Sequence, residues 1–168
     1  GIFQLQFQPN NVIDVYNDHY VFNPTTLAWS LVSSNSPWPA RGFPAVARLP
    51  DLYGTVMYGG IRPNTNMSDL GALNDFWIWS DADEVWSEIT LNNPSDNPLA
   101  RGQALGYPMY QFGEKSVLFQ GGWLQDQNTD NVLFKITFDE CPYGYGKCSG
   151  VTNPAATTTG GGDNSGTD

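Results

Sequence analysis

The chain is poor in cations, histidine and cysteine. Seven lysines and arginines stand against 17 aspartates and glutamates in 168 residues, a formal charge of −10. A surface of that sign repels phosphate backbones and anionic headgroups, so nucleic acid is not an expected partner. The single histidine, His19, leaves no multi-histidine metal site and falls within an expected strand, so no histidine-based triad is expected either. No run of eighteen apolar residues occurs, and no membrane insertion of this segment is expected. The two cysteines, Cys141 and Cys148, enclose "CPYGYGKCSG" with no second pair, a poor zinc set. A disulfide is the better reading, a local staple contributing about 2 kcal/mol; two free thiols in a cytosolic loop are the alternative.

What is abundant points to sheet. Eighteen glycines and twelve prolines are spread along the length and aromatics make up 14 % of the residues, which favours many short strands joined by turns. The length suffices for one domain with a core. Beyond Gly150, "VTNPAATTTGGGDNSGTD" has almost no apolar side chain, so residues 151–168 are expected to be a linker or flexible tail, with Thr157, Thr158 and Thr159 as O-glycosylation candidates. A start at Gly1 instead of Met is expected of a processed chain or a piece of a longer one.

An internal repeat organises the rest. "NDHYVFNPTTLAWSL" (Asn17 to Leu31) aligns without a gap on "NDFWIWSDADEVWSE" (Asn74 to Glu88) at an offset of 57. "PARGFPAVARL" is echoed by "LARGQALGYPMY" at an offset of 60, and "GTVMYGG" by "SVLFQGG" at 62. Three landmarks in the same order point to a propeller or solenoid.

The complete copy divides into four expected strands, Phe43 to Leu49, Thr55 to Tyr58, Asp75 to Ser80 and Val85 to Thr90. Small residues in the first strand (Ala45 and Ala47, echoed by Ala104 and Gly106) suit the crowded inner position of a radial array. Trp77 and Trp79 alternate with Phe76 and Ile78, so both faces of this sheet are expected to be covered by neighbouring sheets. The acidic "SDADE" then forms the exposed turn of the last hairpin.

These residues resemble the kelch repeats of β-propeller proteins. The marks are a Gly-Gly ending the second strand, an aromatic third strand opened by Asn-Asp, and a Trp about a dozen residues later. Here they are Gly59-Gly60, Asn74-Asp75 and Trp86, then Asn17-Asp18 and Trp29, then Gly121-Gly122 followed by "DNVLFKITF". The resemblance implies an all-β fold of about two and a half four-stranded blades over residues 1–140: a partial blade at 1–33, a complete one at 34–91 and a partial one at 92–140. Residues 141–150 form the Cys-bounded loop, similar to the start of an EGF-like module. Some kelch-fold proteins are copper oxidases resembling galactose oxidase, which need several His and Tyr ligands; one His cannot serve.

Kelch-like propellers close with about four to eight blades. An incomplete wheel leaves aromatic faces and strand edges open, so the chain is expected either to be part of a larger propeller or to assemble with other copies or chains, missing strands being supplied between molecules.

No catalytic, cofactor or metal residue is expected. His19 aligns with Phe76 and is expected to pack or line a rim. Asp81, Asp83, Glu84 and Glu88 lie in or beside a turn, where solvated surface charge is their expected role. "DQNTDNV" (Asp126 to Val132) opens like a calcium loop, but Asn131 replaces the turn glycine and Thr137 the closing Glu. Asn66-Met67-Ser68 is an N-glycosylation sequon in the loop between the second and third strands. With the Cys-bounded loop and Thr-rich tail it favours an extracellular, glycosylated protein, secreted or at the cell surface. The expected function is a structural or protein-interaction module, with protein partners and glycans as binding classes. The alternative is a fragment of a secreted propeller enzyme, a carbohydrate-active oxidase or hydrolase, whose catalytic residues lie elsewhere. A cytosolic substrate adaptor of the kelch type is weaker, since no adaptor-like helical region is present.

Overall fold

The computed structural model describes residues 15–49, 54–63, 70–91, 97–109, 116–124, 131–138 and 156–157. Cys141, Cys148, Asn66, Thr158, Thr159 and Asp126 to Asp130 lie outside them, as does "GIFQLQF". The described residues are all-β and antiparallel, with no helix and no closed sheet.

Strands β1 (His19–Asn23) and β2 (Ala28–Ser33) form a hairpin. Strands β3 (Ala45–Leu49), β4 (Gly54–Pro63), β5 (Leu70–Ser80) and β6 (Val85–Ile89) form one sheet in chain order. The two-residue strand β7 (Arg101–Gly102) pairs with β10 (Trp123–Leu124). Strands β8 (Leu105–Met109), β9 (Ser116–Gln120) and β11 (Leu133–Thr137) build a third sheet in the order β8-β9-β11. Its outer position is taken by β12 (Ala156–Thr157), which pairs with β11 through Lys135↔Thr157 and Ile136↔Ala156. Two residues of the expected tail thus occupy, within the same chain, the fourth-strand place that was expected to be filled from another molecule.

The repeat is written into the backbone. Leu27 and Glu84, equivalent in the alignment, take φ of 56° and 54° at the ends of their hairpin turns. Phe43 and Gln103, also equivalent, take 50° and 57°. Left-handed backbone is uncommon outside glycine, so its recurrence at matched sites marks one local geometry built twice. Phe43 cannot extend a strand in that conformation, which is why β3 begins at Ala45, later than the expected Phe43.

The Gly-Gly pairs also match, with φ of 60° and 115° at Gly59 and Gly60 against 62° and 109° at Gly121 and Gly122. The second pair ends its strand as expected from the sequence, β9 stopping at Gln120 directly before Gly121, whereas the first pair does not. In the complete copy β4 runs through Gly59 and Gly60, and the register with β5 shifts between Tyr58 and Gly60. The pair is a bulge that turns the strand, after which Ile61 bridges Gly42 through reciprocal bonds of 2.7 and 2.8 Å. The β7 and β10 pairing repeats this bridge in the next copy.

A Cβ built on Gly59 would stand 2.5 Å from the Arg101 carbonyl oxygen and 3.0 Å from that of Leu73. Both obstacles are backbone and cannot swing aside. Gly59→Ala is therefore expected to destabilise by about 2 kcal/mol, the cost of overpacking a closed site, read as a lowered denaturant midpoint.

Both faces of the second sheet are covered. One carries Ala45, Ala47, Val56, Tyr58, Phe76 and Ile78, buried against Val117, Phe119, Phe134 and Ile136 of the third sheet. The other carries Met57, Trp77 and Trp86, packed with Trp38 from the segment after β2. The expected alternation of Trp77 and Trp79 against Phe76 and Ile78 is found. The inner strands β3 and β8 approach closely: a Cβ on Gly106 would lie 3.0 Å from the Val46 carbonyl oxygen. A side chain there would push the sheets apart.

Candidate functional site

One polar assembly, one aromatic assembly and two open aromatic faces are candidates among the described residues. The first assembly centres on Arg41, whose side chain is buried. Its Nη1 and Nη2 donate to Asp75 Oδ1 and Oδ2, each at 2.6 Å, a bidentate pair. Nη1 also donates to the Gly59 carbonyl at 2.8 Å and Nε to that of Pro39 at 3.0 Å. Asp75 accepts a further bond from Trp77 Nε1 at 2.6 Å. Burial by itself raises the Asp75 carboxyl, but the bonds from Arg41 and Trp77 and the charge of Arg41 outweigh it and hold the group below 3.8. A carboxylate held ionised and fully engaged is a strut, unsuited to moving protons.

The same device recurs in the third repeat. Arg101 is buried, with Nε donating to the Leu99 carbonyl at 3.1 Å and Nη1 to that of Gly121 at 3.1 Å. Val132 stands at the register position of Asp75. The role of these arginines was not read from the sequence. The signal that could have found it is the identical Ala-Arg-Gly at 40–42 and 100–102 in a chain with seven cations.

The second assembly is aromatic. His19, half-buried, sets its ring edge-on to Trp79 at 4.5 Å and Trp86 at 5.6 Å, and its Nδ1 accepts a bond from Trp86 Nε1 at 3.4 Å. Trp38 joins Trp86 at 6.2 Å. The expectation that His19 packs, in the place of Phe76, holds in this geometry. Desolvation lowers its pKa from 6.5. The unfolded chain then takes up the proton first as pH falls, so this contribution is complete above the unfolded pKa and is lost below about 6.5. The urea midpoint is expected to fall between about pH 7 and about pH 5, and His19→Phe to flatten that part of the profile.

The acidic turn does not converge on a site. Asp81 pairs with the exposed Arg48 (Nη1 to Oδ1, 2.9 Å), and Asp83 exchanges bonds with Ser80. Glu84 and Glu88 are exposed. Among the described residues no group of three His, Cys, Asp or Glu could hold a metal, and no helix is long and apolar enough to cross a membrane.

The aromatic faces are the remaining candidates. Phe22 pairs with Trp29 across the first hairpin just as Trp79 pairs with Trp86 across the second. The ring geometries match, 5.1 Å and 44° against 5.8 Å and 53°. Trp29 and Trp86 thus occupy equivalent places in successive repeats. Their surroundings differ: Trp79 is buried and Trp86 half-buried beneath His19 and Trp38, whereas Phe22 is 41 % and Trp29 58 % exposed. Tyr20 and Leu31, opposite each other in the same hairpin, are exposed too. At the far end, Leu105 and Tyr107 of β8 are 56 % and 45 % exposed; they, and not Ala104 and Gly106 as expected, are the counterparts of the buried Ala45 and Ala47. No protein-family model and no curated protein matches the chain.

Proposed function

We propose that this chain is an extracellular structural or protein-interaction module of kelch-type blades, joined to other copies or chains through its open sheet faces. The observation that carries this reading is the pair Phe22 and Trp29, a duplicate of the covered pair Trp79 and Trp86 left facing solvent. Contiguous exposed aromatics on an otherwise acidic protein mark a contact surface, and Trp and Tyr are the residues that dominate interface energetics. The bonds made by the buried Arg41 and Arg101 and by the half-buried Asp75 support a scaffold, because the most strongly held polar groups serve the turns. The kelch assignment is supported by the four-stranded meander, the Gly-Gly pairs of matched backbone conformation and the recurring Trp. The Asn66 sequon and the Cys141 and Cys148 pair support the extracellular setting.

A photoreactive phenylalanine analogue at position 29 tests the contact. In native medium it is expected to capture a polypeptide, while the same probe at Val46 captures none. No adduct at position 29 would overturn the reading. Intact mass before and after reduction and deglycosylation tests the setting: a disulfide and glycan are expected, and two free thiols on an unmodified chain would return it to the cytosol.

A further inference from the structure

Each repeat presents one face backward along the chain and one forward. Backward-facing in the second sheet are Met57, Trp77, Trp79 and Trp86, covered by the first repeat through His19 and Trp38. Forward-facing are Ala45, Ala47, Val56 and Tyr58, covered by the third sheet. Among the described residues two faces are left over. The backward face of the first hairpin holds Tyr20, Phe22, Trp29 and Leu31; the forward face of the third sheet holds Leu105, Tyr107 and Leu133, all exposed.

By register each of them matches a face that is covered within the chain, the first by the preceding repeat and the second by the following one. Phe22 and Trp29 match Trp79 and Trp86, while Leu105, Tyr107 and Leu133 match Ala45, Ala47 and Phe76. Leu105 and Tyr107 are also larger than the alanines at their matched positions, which gives that face reach toward an incoming sheet. Because one chain carries both open faces, each of them can be covered by a further copy of the same chain.

Resting on the interaction reading above, we propose that the chain associates head to tail with itself, the forward face of the third sheet in one copy covering the Phe22 and Trp29 face of the next. The contact is heterologous, so it closes into a ring or propagates. Each copy carries −10, so added salt strengthens the association by screening.

The test uses the purified full chain, of 18.5 kDa, in light scattering over about a hundredfold range of concentration. A mass above one chain, rising with concentration and salt, is expected. Trp29→Glu and Tyr107→Glu are each expected to reduce the mass to a single chain, with near-ultraviolet circular dichroism and the unfolding midpoint retained. Leu31→Glu and Leu105→Glu probe the same two faces should either first variant fail to fold. The deciding experiment mixes one variant from each face in equal amounts. One retains only its forward face and the other only its backward face, so the mixture is expected to yield a two-chain species and nothing larger. A mixture that stays at one chain, a variant that assembles like the parent, or a parent that stays single at every concentration would each overturn the proposal. If the parent stays single while the position 29 probe captures a different polypeptide, self-association fails and the interaction reading stands.

Discussion

Replacing Arg41 by Met is expected to lower stability by about 3 to 5 kcal/mol, the range for breaking a buried ion pair by removing one partner. The loss has two parts. The Asp75 carboxylate stays behind, partly desolvated, with Trp77 as its remaining donor in the network around Arg41. The Gly59 and Pro39 carbonyls lose donors, and the unmade bond at the buried Gly59 carbonyl carries its own penalty. Arg41→Lys is expected to recover little, because an ammonium cannot span both carboxylate oxygens and the Gly59 carbonyl together. The double variant Arg41→Met with Asp75→Leu is expected to be more stable than Arg41→Met alone, since it removes the stranded charge. Chemical denaturation of the four proteins checks all of this. Asp75 adds a pH signature: its stabilisation is present above 3.8 and lost as pH falls below that value. That acid limb is expected to vanish in the double variant. The surface pair of Arg48 and Asp81 is the control, where either truncation is expected to cost under about 1 kcal/mol.

Phe119→Ala is expected to cost a further about 3 to 5 kcal/mol in its own right, the range for removing a ring from a closed core. Phe119 has no exposed surface and sits among Phe134 at 5.4 Å, Tyr58 at 5.3 Å and Phe76 at 6.1 Å. Two of those rings belong to the second sheet, so the void opens in the seam between sheets, where neither can close it alone. Phe119→Leu is expected to lose less than half as much, because it leaves a smaller cavity. Phe22→Ala offers the contrast: an aromatic on an open face is expected to change single-chain stability by only about 0.5 kcal/mol. Its effect belongs to association, and urea titration beside light scattering separates the two.

Much of this arrangement was legible in the residues. Alternation in "DFWIWS" identified a sheet buried on both faces, and the echo of "NDHYVFNPTTLAWSL" located the equivalence of Trp29 and Trp86. The small residues at Ala45, Ala47 and Gly106 pointed to crowded inner strands. What escaped was set by geometry that pattern alone does not encode. Gly59 and Gly60 read as a strand end, because glycine signals irregular backbone without saying whether the chain stops or bulges. The partner of Arg41 lies 34 residues away at Asp75, and only a known strand register brings such a pair together. The pairing of Ala156 and Thr157 with β11 could not be read from two small residues in a polar stretch. Their side chains carry no periodic signal, and backbone bonds are open to almost any sequence. The direction in which His19 points followed from its alignment with Phe76, but its bond with Trp86 depends on the meeting of two repeats.

The arginine struts close each unit upon itself. Every bond that Arg41 makes through its side chain ends between residues 39 and 75, and those drawn for Arg101 end between 99 and 121. A gene segment encoding one such unit therefore carries its own fastening wherever it is copied. Duplication can lengthen the array, and deletion shorten it, without stranding the Arg41 guanidinium or the Asp75 carboxylate where that unit remains.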